Sequence, residues 1–277
     1  MISTQPLTRV INLFKKFFPE IACIGCLLLI WLHQTYRHFI FFKDYGIIWE
    51  GAYRIYLGQI PFIDFSTPVG PGSFLIPALF FKLMGPNWSS LQIAQLSQNS
   101  ILLLAGYLLL KKTGVRSFNL GASIILFTSL YLIFLTHPWY NSTATLFFFI
   151  SLVITLTKNR CAFLVAGIFS GISFLTKQDV GILNIVSLCM IGIFSNKEAF
   201  ACHSRGANIT QCLSGMLLVI VGFASIISIP DFNDWMERSF ILSLHRNNDW
   251  KDLISGLPVL ILGVLCLKQF TYKKEIF

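Results

Sequence analysis

The sequence predicts an all-α, polytopic membrane protein, and three observations carry that prediction. The 277 residues are 55% hydrophobic and only 12% charged, with a mean hydropathy of +0.70, a balance that soluble domains do not show. Apolar runs of near-spanning length recur along the chain, separated by short basic clusters. Aromatics make up 15% of the residues, led by 27 Phe, which suits lipid-facing helices with Trp and Tyr at the interfaces. A net charge of +9 would suit nucleic acid if it formed one surface. Here the cations sit between apolar runs, the pattern of membrane topology, and a nucleic-acid partner is excluded.

Taken in order, Arg9, Lys15 and Lys16 precede an apolar run over 17–34. No small-residue cleavage site follows, so the run reads as a retained signal anchor, with residues 1–16 cytoplasmic. Further runs lie at 91–110, 118–136, 142–157, 161–176, 180–194, 212–229 and 253–267. Together they predict about eight spans in one transmembrane domain covering 1–277. Several are shorter than the roughly 20 residues of a straight span.

Residues 38–90 form the predicted first extracytoplasmic loop, and its 43–72 stretch reads KDYGIIWEGAYRIYLGQIPFIDFSTPVGPG. Ile47, Ile48, Gly51, Ala52 and Ile55 share one helical face, with Glu50 and Arg54 paired at i, i+4 on another. The spacing predicts a short amphipathic helix over 46–57, stopped at Gly58, with Asp44 just before it as a helix cap. Asp64 opens a turn-rich run to Gly72, where its carboxylate suits an Asx-turn. The apolar segment 74–84 is read as lying along the membrane without crossing. With that choice, Arg9, Lys15, Lys16, Lys111, Lys112, Arg116, Lys158, Arg160, Lys197, Arg205, Lys268, Lys273 and Lys274 fall inside, as do both termini. Nine of the 12 acids fall outside, as the positive-inside rule prefers.

Four polar patches then share the outer face: 43–72, the run His137 to Asn141, the run Thr176 to Asp179, and the loop 230–252. Cys23 and Cys26 have C-x-x-C spacing but lie in the first apolar run without a second ligand pair, so a zinc or redox role is disfavoured. No metal-ligating cluster, phosphate-binding glycine loop or nucleophile elbow is present, and a divalent-metal requirement stays open. The polar half-face of Gln92, Gln95, Gln98 and Asn99 suits hydrogen bonding between helices or the lining of a lipid groove.

An Asp after the first span, an amphipathic helix ending in Gly58-x-x-Pro61-Phe62-x-Asp64, a Pro-Gly turn and a hydrophobic helix ending at Gly85 resemble the first outer loop of GT-C superfold glycosyltransferases. The relatives meant are those akin to protein mannosyltransferases and lipid A aminoarabinose transferases. Gly171 to Gln178 resembles the end of a later helix in many members. The resemblance covers roughly 15–195 and implies inverting transfer of a sugar from a polyprenyl-phosphate donor, outside the cytoplasm, to a lipid, glycan or protein acceptor. It maps the catalytic carboxylate onto Asp44 and the loop helices onto 46–57 and 74–84, in a bacterial inner membrane.

Such chemistry needs a base for the acceptor hydroxyl and a cation for the departing phosphate. Asp44 suits the first role, and Lys177 and Arg54 the second. Asp64, His137 and Asp179 are possible accessories. Against these stand plainer roles: Lys177 snorkelling and pairing with Asp179, His137 as an interfacial belt residue. Two departures matter. Relatives often carry a second carboxylate where this chain has His137 and Asn141, and they have further helices. The chain is therefore expected to be a short, partial or degenerate member, weak in turnover alone. The rival reading is a lipid-carrier-binding remnant, or a transporter or flippase-like component, though no internal repeat supports transport.

Overall fold

A computed structural model describes residues 5–36, 42–130, 139–157, 159–194 and 205–227. All regular structure among the described residues is helical. The helices are α1 (Gln5–Tyr36), α2 (Phe42–Tyr56), α3 (Leu75–Met84), α4 (Trp88–Lys112), α5 (Ser117–Leu130), α6 (Tyr140–Thr155), α7 (Ala162–Thr176), α8 (Gln178–Phe194) and α9 (Arg205–Ile226). A 3-10 turn, Pro71–Phe74, leads into α3. The predicted helix at 253–267 and the loop 230–252 lie outside the described residues.

Among the described residues three helices are long and apolar enough to cross a membrane: α1 over Lys15–Thr35, α4, and α9 over Gly206–Ile226. The helices α6 and α7 have 16 and 15 residues. At 1.5 Å per residue each spans only ~22–24 Å, less than a hydrocarbon core of ~30 Å. The two are instead central in the packing. α6 is buried on nearly every side from Ser142 to Phe149, and α7 contacts α6, α8 and α9.

Side-chain placement is that of a bundle in lipid. On α1 the buried residues include Ala22, Cys23 and Cys26, while Ile21, Ile24, Leu28, Leu29 and Leu32 point outward. On α4, Gln95, Gln98 and Asn99 are buried and Ile101, Leu104 and Leu108 exposed. Small and polar groups thus share the interior with buried Ile30, Leu102 and Leu103 while many large aliphatics face outward, an exterior that suits lipid, which solvates Leu as well as another helix does. Cys23 and Cys26 are free thiols packed with Leu102, Leu103 and Ile124.

Glycines set the closest helix approach. Gly167 and Gly171, four apart on α7, face α9: a Cβ on Gly167 would strike the Cys212 carbonyl, and one on Gly171 would press on Val219. Gly215 of α9 answers them, lying against the Leu164 carbonyl. This is the small-xxx-small contact of membrane helices. At the opposite side of the bundle, Phe18 of α1 stacks on Phe118 at 5.5 Å and lies against Gly121 of α5. Two residues on, Glu20 Oε1 accepts from Tyr107 Oη at 2.9 Å and from Lys111 Nζ at 3.0 Å, tying α1 to α4.

Candidate functional site

The segment predicted to be the first outer loop is built as two helices joined by a folded turn. In α2, Ile48, Gly51 and Ala52 are buried and Glu50 and Arg54 lie on the other face, the amphipathic division that the sequence predicts. The helix begins earlier than predicted, at Phe42. Asp44 is therefore the third residue of α2, not a cap in front of it. A carboxylate there still lies in the first turn, where the helix dipole favours negative charge. Its side chain is not among those described.

Gly58, at φ +87°, ends α2 in the left-handed conformation that glycine tolerates. Its N–H donates to Ile55 O and that of Gln59 to Arg54 O, both at 3.0 Å, the paired bonds of a Schellman closure. Asp64 organises the next turn: its Oδ2 accepts from the Ile60 N–H at 2.7 Å while its own N–H donates to Ile60 O at 2.9 Å. The turn-forming role predicted for Asp64 is therefore observed, though the bond reaches back four residues instead of forward. Asn87 caps α4, accepting from the Ser90 N–H at 2.9 Å.

The turn that follows is seated on the bundle. Gly70 lies so close to the Leu175 and Thr176 carbonyls, and Gly72 to Thr176 Oγ1, that a Cβ at either position would collide. Phe62 reaches further, its ring 6.4 Å from that of Phe223 of α9. Trp139, just before α6, packs against the buried cluster that holds Tyr45 of α2 and Phe74 of the turn, the same cluster that Trp88 of α4 covers. Three of the four predicted outer patches thus meet at one end of the bundle.

Lys177 stands at that meeting point. It is the single residue between α7 and α8, in extended conformation (φ −151°, ψ 117°), so the two helices fold back on each other at its position. Gly181 makes the return possible, because a Cβ there would hit Phe174. The Lys177 ammonium is 3.2 Å from Asp179 Oδ2 and 5.6 Å from the centre of the Tyr140 ring, with 21% of the side chain exposed. The predicted pairing with Asp179 is present. A partly buried cation held over an aromatic face is a better anion partner than one in open water.

Arg54 lies apart, in a cleft of about 260 Å³ between α2 and residues 65–68, lined also by Glu50, Ser66, Thr67 and Phe74. Its Nε donates to Glu50 Oε1 at 2.6 Å, and its guanidinium sits 5.3 Å from the Phe65 ring centre. Lys177 does not line this cleft. The two candidate cations therefore occupy neighbouring but separate positions, each already paired with a carboxylate. His137 lies outside the described residues.

Sequence reasoning missed two features: Tyr140 beneath Lys177, and the glycine contacts that seat the turn on α7. The Gly70-Pro71-Gly72 run was visible as a turn, yet which helix it would meet was not encoded locally. Gln98, read as an interhelical hydrogen bonder, does bond α6, donating to Ser142 Oγ at 2.8 Å and accepting from Thr143 Oγ1 at 3.2 Å. Among the described residues no cluster of three or more His, Cys, Asp or Glu is placed to hold a metal. Compared with protein-family models, curated proteins and solved structures, the chain matches none.

Proposed function

We propose that this protein is a GT-C-like membrane glycosyltransferase, with about eight spans and both termini in the cytoplasm of a bacterial inner membrane. In this reading it transfers one sugar from a polyprenyl-phosphate donor to an extracytoplasmic acceptor. The observation that supports the reading most is the seating of the first loop's Pro-Gly turn on the Thr176 end of α7. That contact gathers the loop bearing Asp44, the aromatic edge of α6 and Lys177 at one end of the bundle, where a donor lipid and an acceptor could meet.

The reaction is a single displacement with inversion. The acceptor oxygen attacks the anomeric carbon while the carbon–oxygen bond to the phosphate breaks. Asp44 takes the acceptor's proton, and the polyprenyl phosphate leaves with the bonding pair. General-base catalysis of this kind contributes about 10²–10⁴-fold. Lys177 stabilises the charge that grows on the departing phosphate, a role favoured by its partial burial. Arg54 serves the same charge more remotely, since it must first share or release Glu50.

The test is transfer of a labelled sugar from synthetic polyprenyl-phosphate hexoses, by the protein in lipid nanodiscs, to acceptors in an envelope extract. Slow but protein-dependent transfer is the expected result. Saturable binding of the carrier with no transfer to any acceptor would instead favour the carrier-binding remnant, and neither binding nor transfer would contradict both readings.

A further inference from the structure

Three buried polar atoms at the seat of the turn have no hydrogen-bond partner among the described residues: Ser73 Oγ, Asn141 Oδ1 and Gln178 Nε2. Their surroundings are connected. Ser73 follows Gly72, which touches Thr176; Asn141 follows Tyr140, whose ring faces Lys177; and Gln178 follows Lys177 itself. The orphan atoms therefore belong to the three segments that meet at this junction: the turn, α6 and the tip between α7 and α8. Ser73 is wholly buried. Native interiors leave few polar groups unpaired, and those that remain point to a missing water or ligand.

The chemistry of the three atoms is specific. Asn141 Oδ1 needs a donor, Gln178 Nε2 needs an acceptor, and the Ser73 hydroxyl takes either. A hydroxyl supplies both functions, so a vicinal polyol satisfies the set. None of the three atoms is charged, and Lys177, 3.2 Å from Asp179, is the cation assigned to the phosphate, so a charged sugar substituent gains no counter-charge from this set.

We infer that Ser73, Asn141 and Gln178 form the hydroxyl-recognising subsite for an uncharged donor sugar, closed by the turn 66–72. The inference rests on the transferase reading and adds to it the class of sugar and the residues that select it. The atoms are occluded in this closed arrangement, so the turn lifts from the end of α7 to admit the sugar and reseats over it.

The test uses the full chain in nanodiscs and compares bare polyprenyl phosphate with its glucose, mannose and aminoarabinose derivatives, with affinities read by native mass spectrometry. The expected result is that a neutral hexose raises affinity about tenfold or more over bare carrier, and that the aminosugar gives less than threefold. Asn141→Ala and Gln178→Ala should each remove most of that gain and leave bare-carrier affinity within about twofold. Because the targeted atoms are unpartnered, the variants should melt no lower than wild type in the absence of ligand. Equal affinity of the wild type for bare and neutral-sugar carrier would overturn the subsite while leaving carrier binding intact. An equal or larger gain for the aminosugar would overturn its neutrality. Variants that melt lower yet keep the discrimination would show that the atoms hold water only. No binding of any of the four lipids would overturn the transferase reading itself.

Discussion

Lys177 and Asp179 offer the cleanest test at the residue scale, because they lie 3.2 Å apart and differ in burial. Asp179 is largely exposed, and an ion pair of this kind contributes no more than about 1 kcal/mol. Replacing it with Asn should free the ammonium without loosening the fold, and bare polyprenyl phosphate should bind up to about fivefold more tightly in nanodiscs. A residue that merely snorkels to the interface would leave that affinity unchanged. Asp64 is of another kind. Its carboxylate is committed to the Ile60 N–H, so its chemistry is spent on the turn, as the turn residues around it in the sequence foretold.

At the scale of elements, two sets of glycines do different work and respond differently to the same change. Gly167→Ala drives a methyl into the backbone of α9, and overpacking of that sort costs about 1–3 kcal/mol. Thermal unfolding in detergent should occur at a clearly lower temperature. Gly72→Ala collides with Thr176 Oγ1 and presses on the backbone of Thr176 and Ile172, contacts that the turn can relieve by lifting from α7. Its melting should change little, but sugar transfer should fall at least tenfold because the turn no longer seats beside Lys177. Full transfer activity with Gly72→Ala would separate turn docking from function. The helices were legible from apolar period and length: the seven predicted spans that fall wholly or partly among the described residues lie on helices, three of them long and apolar enough to cross a membrane, and the eighth lies outside the described residues. Their ends were less so. Phe42 to Gly46 lacks a strong start signal, and α2 began one turn early, moving Asp44 from cap to helix.

For the whole molecule, charge gave an expected topology that awaits labelling, and the meeting of the predicted outer patches was only an option in the sequence, since contacts between residues 70 and 176 leave no local trace. Labelling tests the topology. Ser73 is buried and would refuse a reagent, whereas Ser66 and Ser89 are exposed. Cysteines placed there should react with an impermeant maleimide from outside, and the exposed native Cys161 should react only after permeabilisation. Protection of Ser89→Cys in intact cells would mean that α3 crosses. The central claim is that a carboxylate on the seated loop acts as base, and the rate of sugar transfer by Asp44→Asn tests it most directly. Asn keeps the size and hydrogen-bonding reach of the side chain and forfeits only about 0.3–1 kcal/mol of helix-dipole stabilisation, so insertion and melting should be preserved. The account predicts that transfer falls by about 10²–10⁴-fold, and transfer within a few-fold of wild type, by a protein that is equally well inserted, would contradict it.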